Sequence, residues 1–407
     1  MRLNSKTHSP SAPTVIGFFL LALTACGNFS SNCTAPTSAT TSETGFAPVA
    51  TRSSANPSPT EKSEAAAMSV TVARGGLPAG ARIEKVVDAN FPTSLAFASD
   101  GRVFYTEKNT GNLRVISASG QLLSEPVVHL DTDGTNERGL LGIALDPNFS
   151  SNHALWLYHT LPGNPTVDEI VRVTLEGNRA TQVESALRSP NPGRASNHNG
   201  GVIHFGPDGM LYGVIGEHAM PALAQDTSKI PGKVHRFAPS VPLTSAPGNP
   251  FPNSSIFAYG LRNSFGFDFD PLTGKLFVTI NGPNCDDYVI IAQPGSNLGW
   301  RPNYPCGDAN PEFFKPLLPL IRYQKPPALT QLTFYRGNLF PEWKNDIFFC
   351  AFNDSTMRHV KLNAARDAFA SVETFPMDSV SCLVDVETGI DGALWFTSGR
   401  AIYRMMK

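Results

Sequence analysis

The chain has 407 residues, of which 41% are apolar and 16% charged, and carries a formal charge of −2. That much apolar material supports a sizeable core and excludes a wholly disordered chain, while the near-neutral balance gives no basic field for nucleic acid and no acidic one for cations. The 34 glycines and 34 prolines indicate many turns, and the length allows two or three domains or one large all-β unit.

Residues 1–26 read as an export signal, with Arg2 and Lys6 as its basic region and Val15 to Leu23 as its apolar core. The apolar run is shorter than the roughly 20 residues that span a bilayer. Leu23-Thr24-Ala25-Cys26 resembles the lipobox of bacterial lipoproteins, in which Cys26 becomes the lipidated first residue; an ordinary signal with a chance cysteine is the alternative. Lipidation places the protein in the bacterial cell envelope, on the periplasmic or surface face of a membrane. Several acyl chains, at about 0.8 kcal/mol per buried CH₂, anchor it stably. Residues 27–76 are Ser, Thr, Ala, Pro and Glu with few large apolar side chains, too little to offset the entropy of ordering, and read as a flexible tether.

Five cysteines remain beyond Cys26, and in an exported chain pairing is the default. Spacing suggests Cys285 with Cys306 and Cys350 with Cys382, leaving Cys33 over in the tether.

From Ser94 a unit recurs: an apolar strand, a turn centred on Asp-Gly or Asp-Pro, a second strand with an aromatic residue, and often a third rich in Val, Ile and Leu. Copies begin at Ser94, Gly139, Asn197, Phe265, Gly337 and Val384. One such sheet cannot cover both its faces, so it must stack on its neighbours. Repeats of about 40 to 60 residues with roughly four short strands argue for radial blades. The expectation for residues 77–407 is an all-β, six-bladed β-propeller, and a pair of β-sandwiches is the weaker alternative.

In the third copy, His198 stands just before a hairpin whose turn is Gly206-Pro207-Asp208-Gly209. Propellers collect their chemistry on loops at strand ends, where a rigid sheet fixes distances. A histidine there suits proton transfer near neutral pH, and equally a turn histidine that caps main-chain groups.

Four motifs carry a resemblance. Asn-His-Asn-Gly-Gly (197–201), Glu-Arg-Gly-Leu-Leu-Gly-Ile-Ala (137–144), Tyr-Gly-Leu-Arg-Asn-Ser-Phe-Gly (259–266) and Asn-Gly-Pro-Asn-Cys-Asp-Asp (281–287) with Gly-Ser-Asn-Leu-Gly-Trp (295–300) look like the glucose/sorbosone dehydrogenase family. Its members are sugar dehydrogenases that use pyrroloquinoline quinone (PQQ) and are built as six-bladed propellers. The resemblance implies His198 as the catalytic base, with Glu217, where relatives commonly carry Asp, either orienting it or standing as a strand-end charge, and Arg262 either facing the quinone oxygens or forming a structural hydrogen-bonding pair with Asn263. It implies Asn263 and Glu137 beside the cofactor, and a calcium ion held by the carbonyls of Gly282 and Pro283 with Asp287. It departs from the family where basic residues are expected: Asn353, Cys382 and Val384 stand there instead, with Arg336, Lys344 or Arg358 as substitutes from nearby. Tyr288 stands where an acidic residue of a second calcium site is expected.

Two functions follow. The first is a lipid-anchored, PQQ- and calcium-dependent dehydrogenase that oxidises the anomeric hydroxyl of an aldose to the lactone and passes electrons to a quinone or cytochrome. The second is a propeller that has lost the cofactor and binds carbohydrate or protein. A lactone hydrolase is a distant third, lacking a clear set of acidic metal ligands.

Overall fold

A computed structural model describes residues 72–407 other than 194, 309, 311, 316, 317, 376, 378 and 379. The export signal, Cys26, Cys33 and the tether as far as residue 71 lie outside the described residues. Val72–Arg74, at the end of the segment read as tether, is a strand paired in parallel with Phe369–Phe375.

The fold is an all-β propeller built from short antiparallel strands. The first repeat becomes Pro92–Phe97, Val103–Glu107, Asn112–Ile116 and Val128–His129. Its hairpin turns at Asp100-Gly101, where φ of Gly101 is +93°, a conformation that glycine adopts without steric cost. The second repeat gives Leu140–Leu145, Ala154–Leu161, Val167–Glu176 and Arg179–Pro190 in one sheet.

The repeat is not uniform, and six equivalent blades do not form. Five of the sheets hold four or five strands. The third begins with Gly200–Phe205, Leu211–Ile215, Lys233–Ala238 and Ile256–Tyr259, then runs on through Asn297–Leu298 and Phe314–Lys315 to make seven strands with Thr244–Ser245. The segment after residue 292 supplies two of the three extra strands. The last sheet is also composite: Val386–Thr388, Leu394–Thr397 and Ala401–Met406 are completed by Arg82–Asp88 from the start of the propeller. Pairing the two ends of the unit joins the final sheet to the first part of the chain, a closure that no local pattern announces.

Packing between sheets supplies the core. Phe104, Leu113, Leu155 and Val173 join the first two sheets, and Phe277, Val289, Phe334 and Phe349 join the fourth and fifth. Phe277 and Phe334 meet edge to face at 5.2 Å. Each such side chain contributes about 1.5–3 kcal/mol on burial, so the sheets are held as a rigid frame. Disulfides join Cys285 to Cys306 and Cys350 to Cys382.

Candidate active site

Antiparallel pairing puts the residue before a sheet's first strand next to the residue after its second. Gly200 is opposite Ile215, Pro92 opposite Glu107, and Leu329 opposite Ala351. His198 and Glu217, Phe91 and Lys108, and Ala328 and Phe352 are therefore neighbours at the same kind of strand end.

His198 is left-handed, with φ +61°, and Gly200 and Gly201 follow at +68° and +109°. A side chain on Gly201 would come within 2.7 Å of the Leu141 Cβ, so the close approach of this turn to the second sheet needs glycine. The turn aims the His198 Nδ1 at Glu217 Oε1, 2.7 Å away, with both side chains buried. Because the carboxylate accepts the Nδ1 hydrogen, the neutral imidazole carries its lone pair on Nε2, which has no hydrogen-bond partner among the described residues.

The other expected residues are wired to this pair. Glu137 Oε2 accepts the His198 main-chain N–H at 2.6 Å and the Asn263 amide at 2.9 Å, and Asn263 Oδ1 accepts the Gly200 N–H at 3.1 Å. Glu217 N–H donates to the Arg262 carbonyl at 2.9 Å. Arg262 Nη1 donates to the Asn281 carbonyl at 3.0 Å, and its guanidinium lies 5.3 Å from the Trp300 ring centroid. Burial lowers the pKa of Arg262, and the carboxylates of Glu217, Glu137 and Asp287 oppose that shift.

A cavity of about 320 Å³ adjoins this network, and Glu137, Gly200 and Asn281 contribute to its wall. Arg262 Nε and Asn281 Oδ1 are buried without a hydrogen-bond partner among the described residues. Of these groups only Asn281 lines the cavity, while His198 and Arg262 are tied to its wall through Glu137 and Asn281. A free amide oxygen with an imidazole and a guanidinium behind the wall fits an oxygen-rich ligand such as PQQ. The fit is poorer for its carboxylates. Asn353 and Val384 line the cavity where basic residues were expected, and Cys382 is held in its disulfide. The proposed substitutes are engaged elsewhere: Arg336 with Asp268 at 2.6 Å, Arg358 with Asp354 at 2.6 Å, and Lys344 with the Arg336 carbonyl at 2.6 Å.

Asp287 faces main-chain N–H groups. Its two oxygens accept the N–H groups of Gly282 at 2.8 Å and Ala328 at 2.7 Å, and burial raises its pKa to about 6. Asp287 thereby pins the 281–287 loop, which carries the Gly282 and Pro283 carbonyls, to the start of the next sheet. Among the described residues no group of three or more His, Cys, Asp or Glu is placed to hold a metal.

Sequence reasoning missed two features. Lys108 and Phe91 line the cavity, although the first repeat was read only as scaffold. Behind His198, the buried His218 places Nε2 3.2 Å from Asp168 Oδ2, and its main-chain N–H donates to the His198 carbonyl at 3.1 Å. The pairing of strand ends described above was the available signal for Lys108, since it immediately follows a second strand.

The chain is similar to known proteins over most of its described length. A family model described as Glucose / Sorbosone dehydrogenase matches residues 89–405. The chain is 27% identical over 351 residues to the aldose sugar dehydrogenase YliI of Escherichia coli, covering 81% of this chain and 93% of that protein. The structure of an oxidoreductase from Thermus thermophilus, described as a glucose dehydrogenase, aligns with 30% identity and a TM-score of 0.71, covering 80% of this chain and all of that one. The PQQ-bound form of an aldose sugar dehydrogenase from Streptomyces coelicolor shares the fold at 24% identity and a TM-score of 0.67, covering 81% of this chain and 99% of that one.

Proposed function

Because this chain belongs to the glucose/sorbosone dehydrogenase family, we propose that it is a PQQ-dependent oxidoreductase that oxidises the anomeric hydroxyl of an aldose to the lactone. The observation that carries this reading is His198 with Nδ1 fixed on Glu217 and Nε2 free, beside a cavity that leaves Asn281 Oδ1 unpaired.

When bound, the quinone supplies the acceptor for the hydride that leaves the sugar's anomeric carbon. His198 Nε2 takes the proton of the anomeric hydroxyl as that hydride departs. Glu217 holds the required tautomer and stabilises the imidazolium that results. Arg262, fixed by the Asn281 carbonyl and Trp300, places positive charge where negative charge develops. Glu137 ties the His198 main chain to Asn263, so base and guanidinium keep one geometry. Asp287 pins the loop that carries the Gly282 and Pro283 carbonyls, which would hold a calcium ion beside the cofactor. Electrons leave to a quinone or cytochrome, and lipidation of Cys26 keeps the protein at a bacterial membrane; both extend the proposal beyond the site.

A second reading, a cofactor-free module that binds carbohydrate or protein, is favoured by Asn353 and Val384 in the cavity wall. One experiment separates the two. Apoprotein is titrated with PQQ, and dye reduction is then followed with a panel of aldoses. Saturable binding and aldose-dependent reduction are expected, with His198→Ala retaining binding and losing turnover. Absence of both binding and turnover leaves the binding module.

A further inference from the structure

One cation at the cavity has no role in the mechanism above. Lys108, immediately after the strand Val103–Glu107, is the only lysine or arginine among the described residues that line the cavity. It is buried, with 8% of its surface exposed.

An ammonium has three hydrogens to donate. Lys108 Nζ gives two to neutral acceptors, Asn109 Oδ1 at 3.0 Å and the Gly134 carbonyl at 2.8 Å. The third has no acceptor among the described residues. The nearby carboxylates are engaged elsewhere: Asp133 with Arg138 at 2.9 Å, and Glu137 with the His198 N–H and the Asn263 amide. Burial lowers the Lys108 pKa, and the charges of Asp133 and Glu137 only partly oppose it. A buried ammonium without a counter-ion is costly, and an anionic ligand would relieve that cost.

The surroundings hold the residue firmly. Its N–H donates to the Phe91 carbonyl and its own carbonyl accepts from Leu140, both at 3.1 Å. Gly139 leaves room for the side chain, since a Cβ there would lie 2.5 Å from Lys108 Cγ. Phe91 sits at φ +51°, an uncommon conformation for a bulky residue, and its ring centroid is 5.7 Å from the ammonium.

We propose that Lys108 is the cation that receives a carboxylate of the cavity's occupant, taking the place of the basic residues absent at 353, 382 and 384. This deepens the PQQ reading and rests on it. The carboxylate belongs either to PQQ, which carries three, or to a sugar acid used as substrate.

The test is calorimetric titration of the full chain and its Lys108→Gln and Lys108→Arg variants with PQQ and with PQQ trimethyl ester, whose carboxylates are masked. For a cofactor contact, Lys108→Gln weakens binding of the free acid roughly ten- to hundredfold. Binding of the ester is little changed, and Lys108→Arg retains the preference for the acid. For a substrate contact, Lys108→Gln binds PQQ normally and raises KM for glucuronate without raising it for glucose. The proposal is overturned when Lys108→Gln binds the acid as the parent does and treats glucuronate and glucose alike. Should Lys108→Gln fail to fold, equal affinity of the unmutated protein for acid and ester, with equal KM for glucuronate and glucose, overturns it instead. Failure of the unmutated protein to bind PQQ at all defeats the functional reading itself, so the two failures are told apart.

Discussion

Glu217 Oε1 lies 2.7 Å from His198 Nδ1, across the ends of two antiparallel strands and nineteen positions apart in the chain. Only a carboxylate accepts the Nδ1 hydrogen and also stabilises the imidazolium. Glu217→Gln is expected to lower kcat with aldose by about 10²–10⁴ while leaving PQQ affinity within about twofold of the parent. Stopped-flow reduction of the bound quinone checks the first and calorimetry the second; unchanged kcat removes Glu217 from the mechanism.

The buried Asp168 and His218 make opposite contributions to the pH dependence of stability. Burial raises the Asp168 pKa to about 7 and lowers that of His218 to about 3. Asp168 keeps its proton in the folded state, so its contribution is fully present below its unfolded pKa, near 4, and is lost as pH rises towards 7. His218 stays neutral when folded, so its contribution is present above its unfolded pKa, near 6.5, and is lost as pH falls towards 3. The two slopes oppose each other between about pH 4 and 6.5. Asp168→Asn removes one of them, so the variant's melting temperature is expected to gain on the parent's steadily from pH 4 to 7. Parallel melting curves for the two proteins across that range overturn the assignment.

The Cys350–Cys382 disulfide spans 32 positions and lies in the fully buried cluster around Trp343, Phe348 and Phe375. Closing a loop of that length in the unfolded chain stabilises the fold by about 3–4 kcal/mol. The double variant Cys350→Ala, Cys382→Ala is expected to shift the urea midpoint down by a corresponding amount, with a steeper slope because the unfolded chain, no longer cross-linked, exposes more surface. A midpoint within about 0.5 kcal/mol of the parent's, after multiplication by the slope, shows that packing alone holds the two sheets together.

Much of this architecture was legible because it is local. Asp100-Gly101 and Gly206-Pro207-Asp208-Gly209 mark hairpins by their own turn chemistry, and the alternation of short apolar strands implies stacked sheets. The seven-stranded sheet was not legible because its added strands are only two residues long, and the strand Arg82–Asp88 beside Ala401–Met406 was not because pairing across more than three hundred positions leaves no trace in a sequence window. The site divides in the same way. His198, Glu217, Glu137 and Arg262 were found through motifs, and one hydrogen-bond network joins them. The loop-pinning contacts of Asp287 with Gly282 and Ala328 were not legible, because a carboxylate that ligates a cation and one that accepts main-chain N–H groups look alike in sequence. Lys108 was overlooked because its importance depends on what is absent at 353 and 384, on loops far along the chain.

Arg262 offers the sharpest test of the electrostatic half of the mechanism. Its Nη1 is anchored on the Asn281 carbonyl at 3.0 Å, while its buried Nε is left without a partner among the described residues. A fixed cation with a spare donor stabilises charge that develops during reaction without reorganising, whereas lysine offers the charge without the planar fork. Arg262→Met is therefore expected to lower kcat by about 10²–10³, and Arg262→Lys by roughly tenfold, with KM for the aldose changed less than threefold in either case. The contrast between the two variants carries the information. If Lys restores nothing relative to Met, geometry rather than charge is what Arg262 supplies; if both leave kcat intact and raise KM alone, Arg262 binds the ground state and the transition-state role fails.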